Sequence, residues 1–315
     1  MGDPGSHYNL ADLGRSAGSL LPWLLNLAVW TLFVVPAHAG LLDIFASPPK
    51  GNLIIVGGGD TPSEVQARFV TLSGGPGKAR IAILPMASTK FDEEVNEVME
   101  DFRRLGAETQ ILNLSYADAQ NETIAKQLGK FDAYWFSGGD QSRLSSVLVG
   151  TAALDTIVRR HQEGAMIGGT SAGASVMSSV MLTGRWRSPN NEEEAEQLNI
   201  AKGMKEVAKG FGIMKGAIID QHFMKRARYN RLLSAVLDHP QLIGVGIDEE
   251  TALLVRSDGV WEVLGKYYVK VFDARRAHII DDDGPLAKAS DIRLHVLPAG
   301  SEFNAKSRKV KLPGG

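Results

Sequence analysis

The chain of 315 residues is 44% hydrophobic and 22% charged, with 34 glycines and 13 prolines, which excludes collagenous, coiled-coil and disordered proteins and leaves a globular body. Lys and Arg total 34 against 36 Asp and Glu; the net charge of −2 offers no overall basic field to nucleic acid, so charge recognition has to come from a local cluster. With no cysteine, disulfides, Cys-ligated zinc, Fe–S clusters and a cysteine nucleophile are all excluded, while the redox compartment stays open.

Residues Ser19–Val35 carry no charge and run into Pro36-Ala37-His38-Ala39. An apolar run closed by Ala-x-Ala reads as a secretory signal over residues 1–39, with cleavage after Ala39 and export to the periplasm or the medium. Asp3, Asp12 and Arg15 leave a weakly charged start, and Pro22 and Asn26 weaken the alternative of a membrane-spanning helix. Residues 40–315 read as one catalytic domain.

From Gly51 the pattern is regular. Strands are expected at Asn52–Val56, Ile81–Pro85, Gln110–Leu114, Ala133–Phe136 and Ala165–Ile167. Between them lie helices from Pro62 (Val65, Phe69 and Leu72 at helical spacing), then Phe91–Leu105, Asp118–Leu128, Gln141–Val149 and Thr151–Glu163. Short apolar strands alternating with amphipathic helices predict an α/β fold: a doubly wound, mostly parallel sheet with helices on both faces and functional loops at the strands' carboxyl ends. A strand at Ala217–Asp220 and a helix at Tyr229–Leu237 follow. The rhythm then turns β-rich, with strands at Leu242–Ile247, Ala252–Val255, Val260–Val263 and Val269–Asp273 read as an antiparallel extension of the same sheet.

The sharpest chemical signal is Gly169-Thr170-Ser171-Ala172-Gly173, placed between an apolar strand and the small-residue run ASVMSS. A nucleophile elbow needs glycine on either side of serine because the backbone turns where no side chain fits, and it needs a helix start beyond, whose N–H groups face a developing oxyanion. The competing explanation is a tightly packed Gly-rich turn with no chemistry.

A serine nucleophile needs a base. His7 and His38 lie in the leader. His161 sits mid-helix among polar residues and His239 precedes Pro240, so both are expected in solvent; His278 and His295 lie in the tail. His222 follows Ala217–Asp220 at a strand's carboxyl end and is the best placed. No histidine pair has metal-ligand spacing, so neither a metal nor a cofactor is expected. Candidates to orient the imidazole are Asp220, Asp248, Glu249, Glu250 and the acidic run Glu192–Glu196, which the spacing does not separate. Lys225, Arg226, Arg228 and Arg231 follow the histidine. A guanidinium fork suits carboxylates, although a charge run is most often a solvated helix face, the reading kept for Lys225. Arg228 and Arg231 share a face at i, i+3, and Arg226 points elsewhere.

Five segments appear in order over about 51–276: GGGD (57–60), SGGDQ (137–141), GGTSAGAS (168–175), DQHF with R-x-R-x-N-R-L (220–232) and GIDEETA (246–252). Together they resemble the cyanophycinases, serine peptidases grouped with the aspartyl dipeptidase called peptidase E. The resemblance implies a sheet like that of class I glutamine amidotransferases and a triad of Ser171 as nucleophile, His222 as base and Glu249 as acid. An acid between serine and histidine would fall near Glu192–Glu194, where no motif matches, so Glu249 is preferred. The resemblance further implies an oxyanion hole of Gly138 or Gly139 with Ala172, and a substrate pocket of Gln141, Asp220, Gln221, Arg226, Arg228 and Arg231. The implied substrate is cyanophycin, cleaved to β-aspartyl-arginine, with the arginines clamping carboxylates and Asp220 receiving a guanidinium. The implied assembly is a homodimer. Competing readings are an aspartyl dipeptidase and a non-catalytic module that binds anionic peptides; glutamine amidotransfer is disfavoured because those enzymes use cysteine.

Overall fold

The structure is a computed structural model that describes residues 48–89, 91–186, 199–203 and 205–314, with the side chains of 91–94 and 186 outside the description. The segment 1–39 expected to be a leader and the acidic run Glu192–Glu196 lie outside the described residues.

In chain order the first half comprises β1 (Leu53–Val56), α1 (Ser63–Leu72), β2 (Arg80–Leu84), α2 (Phe91–Arg104), β3 (Glu108–Ile111), α3 (Tyr116–Gln120), α4 (Glu122–Leu128), β4 (Ala133–Phe136), α5 (Gln141–Leu148), α6 (Ala152–Glu163), β5 (Met166–Thr170) and α7 (Ala172–Ser175). The second half comprises β6 (Val180–Trp186), β7 (Lys205–Lys209), β8 (Ala217–Asp220), α8 (Tyr229–Asp238), β9 (Ile243–Ile247), β10 (Thr251–Val255), β11 (Val260–Gly265) and β12 (Tyr268–Asp273). It ends with β13 (His278–Ile280), β14 (Lys288–Ser290), β15 (Arg293–Pro298), β16 (Glu302–Asn304) and β17 (Lys309–Lys311).

Among the described residues, nine strands form one sheet in the order β17-β16-β11-β10-β1-β5-β4-β2-β3. The block β1-β5-β4-β2-β3 is parallel, and antiparallel strands extend it beyond β1. Strand alternation sends Leu53 and Ile55 into the core under α3–α6, and Ile54 and Val56 into the core under α1 and α2. Apolar residues on both faces are what a parallel sheet covered twice demands. On the α1–α2 side Trp135 meets Phe69 and Phe102 edge-on, with ring centroids 5.0 and 5.2 Å away.

The β-rich part differs from the sequence expectation of a single extended sheet. β10 and β11 do continue the main sheet, but β9 and β12 join β8 and β15 in a second one, ordered β15-β12-β9-β8. Glu250, at φ 52°, turns the chain out of β9 and into β10 of the other sheet. Val245, Ile247, Val269 and Val271 face the core shared with the main sheet, while Ile218 and Phe272 face Leu232 and Val236 of α8. Two smaller differences have local causes. The expected helix Asp118–Leu128 is two helices, because Asn121 is extended and caps α4 by accepting from Thr123 N–H. His161 is buried rather than solvated: its Nδ1–H donates to the Ala165 carbonyl at 3.0 Å as the end of α6 closes over Gly51.

Candidate active site

The carboxyl ends of β1, β4 and β5 in the main sheet and of β8 and β9 in the second converge on Ser171. Ser171 stands between β5 and α7 with φ 53° and ψ −109°, a conformation a side chain rarely adopts, and its N–H is held by the Val56 carbonyl at 3.1 Å. The elbow is as tight as its glycines suggest: a Cβ on Gly173 would lie 2.1 Å from the Phe136 carbonyl oxygen. The helix beyond Ser171 is only one turn, shorter than the small-residue run predicts.

Ser171 Oγ donates to His222 Nε2 at 2.9 Å, and His222 Nδ1–H donates to Glu249 Oε1 at 2.7 Å. A carboxylate only accepts, which fixes the tautomer with the free lone pair on Nε2 facing the serine. His222 takes φ 47°, and its N–H donates to the Gly57 carbonyl at 2.6 Å. Burial lowers the imidazole pKa below its ordinary 6.5; the hydrogen bond to Glu249 opposes this, and Arg226 and Arg228 add to the lowering. The imidazole is therefore neutral at neutral pH and free to accept a proton. Of the acids the sequence left open, Glu249 is the one on the imidazole among the described residues. Asp248 pairs with Lys270, Glu250 pairs with exposed Lys266, and Asp220 pairs with Arg231. The N–H groups of Gly138, Gly139 and Ala172 enter no hydrogen bond among the described residues, and Gly138 packs beside Ser171.

Two cavities meet at Ser171. One, of about 440 Å³, is lined by Gln141, Gln221, Arg185, Arg226, Arg228 and Arg231. The other, of about 560 Å³, carries Asp60, Glu97 and Asp101 together with Gln66, Ser88 and His222. Gln141 is buried and donates to the Leu182 carbonyl at 2.7 Å. Arg228 Nη1–H donates to both the carbonyl and the Oε1 of Gln221, at 2.6 and 2.8 Å. Asp220 departs from the expectation that it receives a substrate guanidinium. It is fully buried, lines neither cavity, and accepts from Arg231 Nε at 2.8 Å and again from Arg231 Nη2, so it holds the arginines instead. Arg185, Glu97 and Asp101 were not singled out from the sequence, and Asp60 was noted only as the end of the GGGD segment. Gly184 inside a strand was a signal of a bulge next to Arg185, and it takes φ +86° where the register of β6 against β7 shifts; Glu97 and Asp101 look like any solvated helix face.

Residues 53–263 match the profile of peptidase family S51. The chain belongs to peptidase family S51. Curated relatives include the cyanophycinase of Synechococcus elongatus, 33% identical over 276 residues that cover 83% of this chain and 81% of the relative, and that of Geminocystis herdmanii, 32% identical over 273 residues covering 82% and 96%. A solved peptidase from an acI-B1 Actinobacterium shares the fold, with a TM-score of 0.57 at 24% identity over 78% of this chain and 100% of that one. As an S51 member the chain is a serine-type peptidase, a hydrolase.

Proposed function

We propose that this S51 peptidase is a cyanophycinase, a serine exopeptidase that hydrolyses the aspartyl backbone of cyanophycin (multi-L-arginyl-poly-L-aspartate) and releases β-aspartyl-arginine. The observation that carries this reading is the position of Ser171 on the wall of both an arginine-lined and an acid-lined cavity. A substrate that alternates carboxylates with guanidiniums complements both at once, and bidentate pairing with arginine fixes the scissile bond against the serine. The similarity to two cyanophycinases over most of their length supports the same substrate.

Ser171 Oγ attacks the backbone carbonyl while its proton passes to His222 Nε2, and Glu249 stabilises the imidazolium through Nδ1–H. The tetrahedral oxyanion draws on the N–H groups of Gly138, Gly139 and Ala172. His222 then gives its proton to the leaving amine as the C–N bond breaks. Water, deprotonated by the same imidazole, hydrolyses the ester on Ser171 and restores the resting state. By extension of the sequence reading, the leader directs export, checked by sequencing the amino terminus of protein secreted from a bacterial host, and the protein is a homodimer, checked by sedimentation.

The test is digestion of insoluble cyanophycin by the purified protein beside Ser171→Ala, with products identified by mass spectrometry. β-Aspartyl-arginine from the parent protein alone is expected. Intact polymer with cleavage of Asp-X dipeptides would move the assignment to an aspartyl dipeptidase, and binding without cleavage by either protein to a binding module.

A further inference from the structure

Asp248 directly precedes Glu249, yet its side chain turns away from the imidazole. It is 5% exposed; Oδ2 accepts from Lys270 Nζ at 2.5 Å, and Oδ1 accepts from Met224 N–H at 3.3 Å. Lys270, 3% exposed, sits mid-strand in β12 opposite Gly246 of β9, its ammonium also 5.0 Å from the Tyr268 ring centroid. Met224 lies two residues after His222, and Phe223 N–H donates to the Ile247 carbonyl at 3.2 Å. Asp248 therefore ties three things together: the end of β9 that presents Glu249, the turn that presents His222, and the neighbouring strand β12. The two turns need holding, because His222 and Glu250 both have positive φ, at 47° and 52°.

A buried ion pair is a costly way to gain stability, since well-packed apolar residues of similar volume often do as well or better. We propose that the Asp248–Lys270 pair is a positioning device that sets Glu249 against His222 and so keeps the imidazole aligned on Ser171. Neither residue touches substrate; both act through Glu249. The proposal rests on the reading of Ser171, His222 and Glu249 as the triad.

The experiment compares Lys270→Met and the double variant Asp248→Asn/Lys270→Met with the parent enzyme, reading kcat, KM, thermal midpoint and the acidic limb of kcat/KM. The double variant keeps the buried pair neutral overall and keeps an acceptor for Met224 N–H, so it carries the test if Lys270→Met fails to fold. A displaced Glu249 costs about tenfold or more in kcat with KM within about twofold. The groups facing His222 are Glu249, Arg226 and Arg228. Loosening the Glu249 bond removes an influence that raises the imidazole pKa, so the acidic limb moves to lower pH. The low-field proton signal of His222 Nδ1–H weakens in parallel. A folded double variant with parental kcat, limb and proton signal would overturn the proposal and leave the pair as ordinary core. Glu249→Gln is measured alongside: if it keeps parental kcat and limb, the triad reading fails, whatever the pair does.

Discussion

Gly58 lies flat beneath the His222 imidazole. A Cβ at Gly58 would stand 2.3 Å from His222 Cε1 and 2.5 Å from Nε2, and the glycine also takes φ +99°, which other residues rarely adopt. Its carbonyl accepts from Glu250 N–H at 2.9 Å, while the Gly57 carbonyl accepts from His222 N–H. The loop after β1 is thus a floor for both the base and the turn bearing its acid. Gly58→Ala pushes the imidazole off the 2.9 Å bond to Ser171. The expected result is a loss of about 100-fold in kcat with little change in KM, read by steady-state kinetics on protein shown to be folded by circular dichroism.

The acidic limb of kcat/KM reports protonation of His222 in the free enzyme, and it should fall below pH 6.5 because burial disfavours the imidazolium. Two substitutions move it in opposite directions. Arg226→Met removes a nearby cation that lowers the pKa, so the limb moves to higher pH. Glu249→Gln removes a partner that raises the pKa, so the limb moves to lower pH, and kcat falls because the imidazolium loses its counter-charge. Shifts in the same direction for both variants would show that another group governs the limb.

Much of this site was legible because its determinants are local. Gly169 and Gly173 around Ser171 declare a sharp turn, and His222 comes just after the strand Ala217–Asp220, which opens on three apolar residues, so both could be placed at strand ends from the sequence. Tertiary partition was not legible. Residues 243–247 and 251–255 are equally apolar runs, and only the turn at Glu250 and pairing with distant β1 and β8 decide that they enter different sheets. The same limit applied to His161, which polar neighbours suggested was solvated until Gly51 packed against it. The spacing left Asp220, Asp248, Glu249, Glu250 and the run Glu192–Glu196 open as the acid, and among the described ones, partners at Arg231, Lys270 and Lys266 occupy all but Glu249.

The arginines separate into structural and accessible members. Arg231 is 4% exposed and forms a bidentate pair with fully buried Asp220. Arg231→Met leaves that carboxylate without its main counter-charge and should cost about 3–5 kcal/mol in urea unfolding, with activity lost alongside. Arg226 is exposed on the cavity wall, so Arg226→Met should leave unfolding within about 0.5 kcal/mol of the parent. Its effect belongs in KM for the polymer. Equal destabilisation by both variants would contradict this division.

The two glycines after β4 should also respond differently. Gly139 takes φ +129°, and a Cβ there would lie 2.1 Å from the Ala87 carbonyl oxygen, the same oxygen that accepts from Asp140 N–H at 3.0 Å. Backbone has to move, so Gly139→Ala should destabilise by roughly 2–4 kcal/mol and dismantle the turn carrying the donor N–H groups. Gly138 has no positive φ, and its Cβ would meet Ser171 Cβ at an ordinary 3.5 Å and Oγ at 4.0 Å. Gly138→Ala should therefore fold with a near-parental thermal midpoint. Its methyl occupies space beside the nucleophile where the substrate carbonyl must come, so kcat should fall by about tenfold or more. A Gly138→Ala enzyme with full activity would place the substrate carbonyl on the other side of Ser171 and remove Gly138 from the oxyanion site.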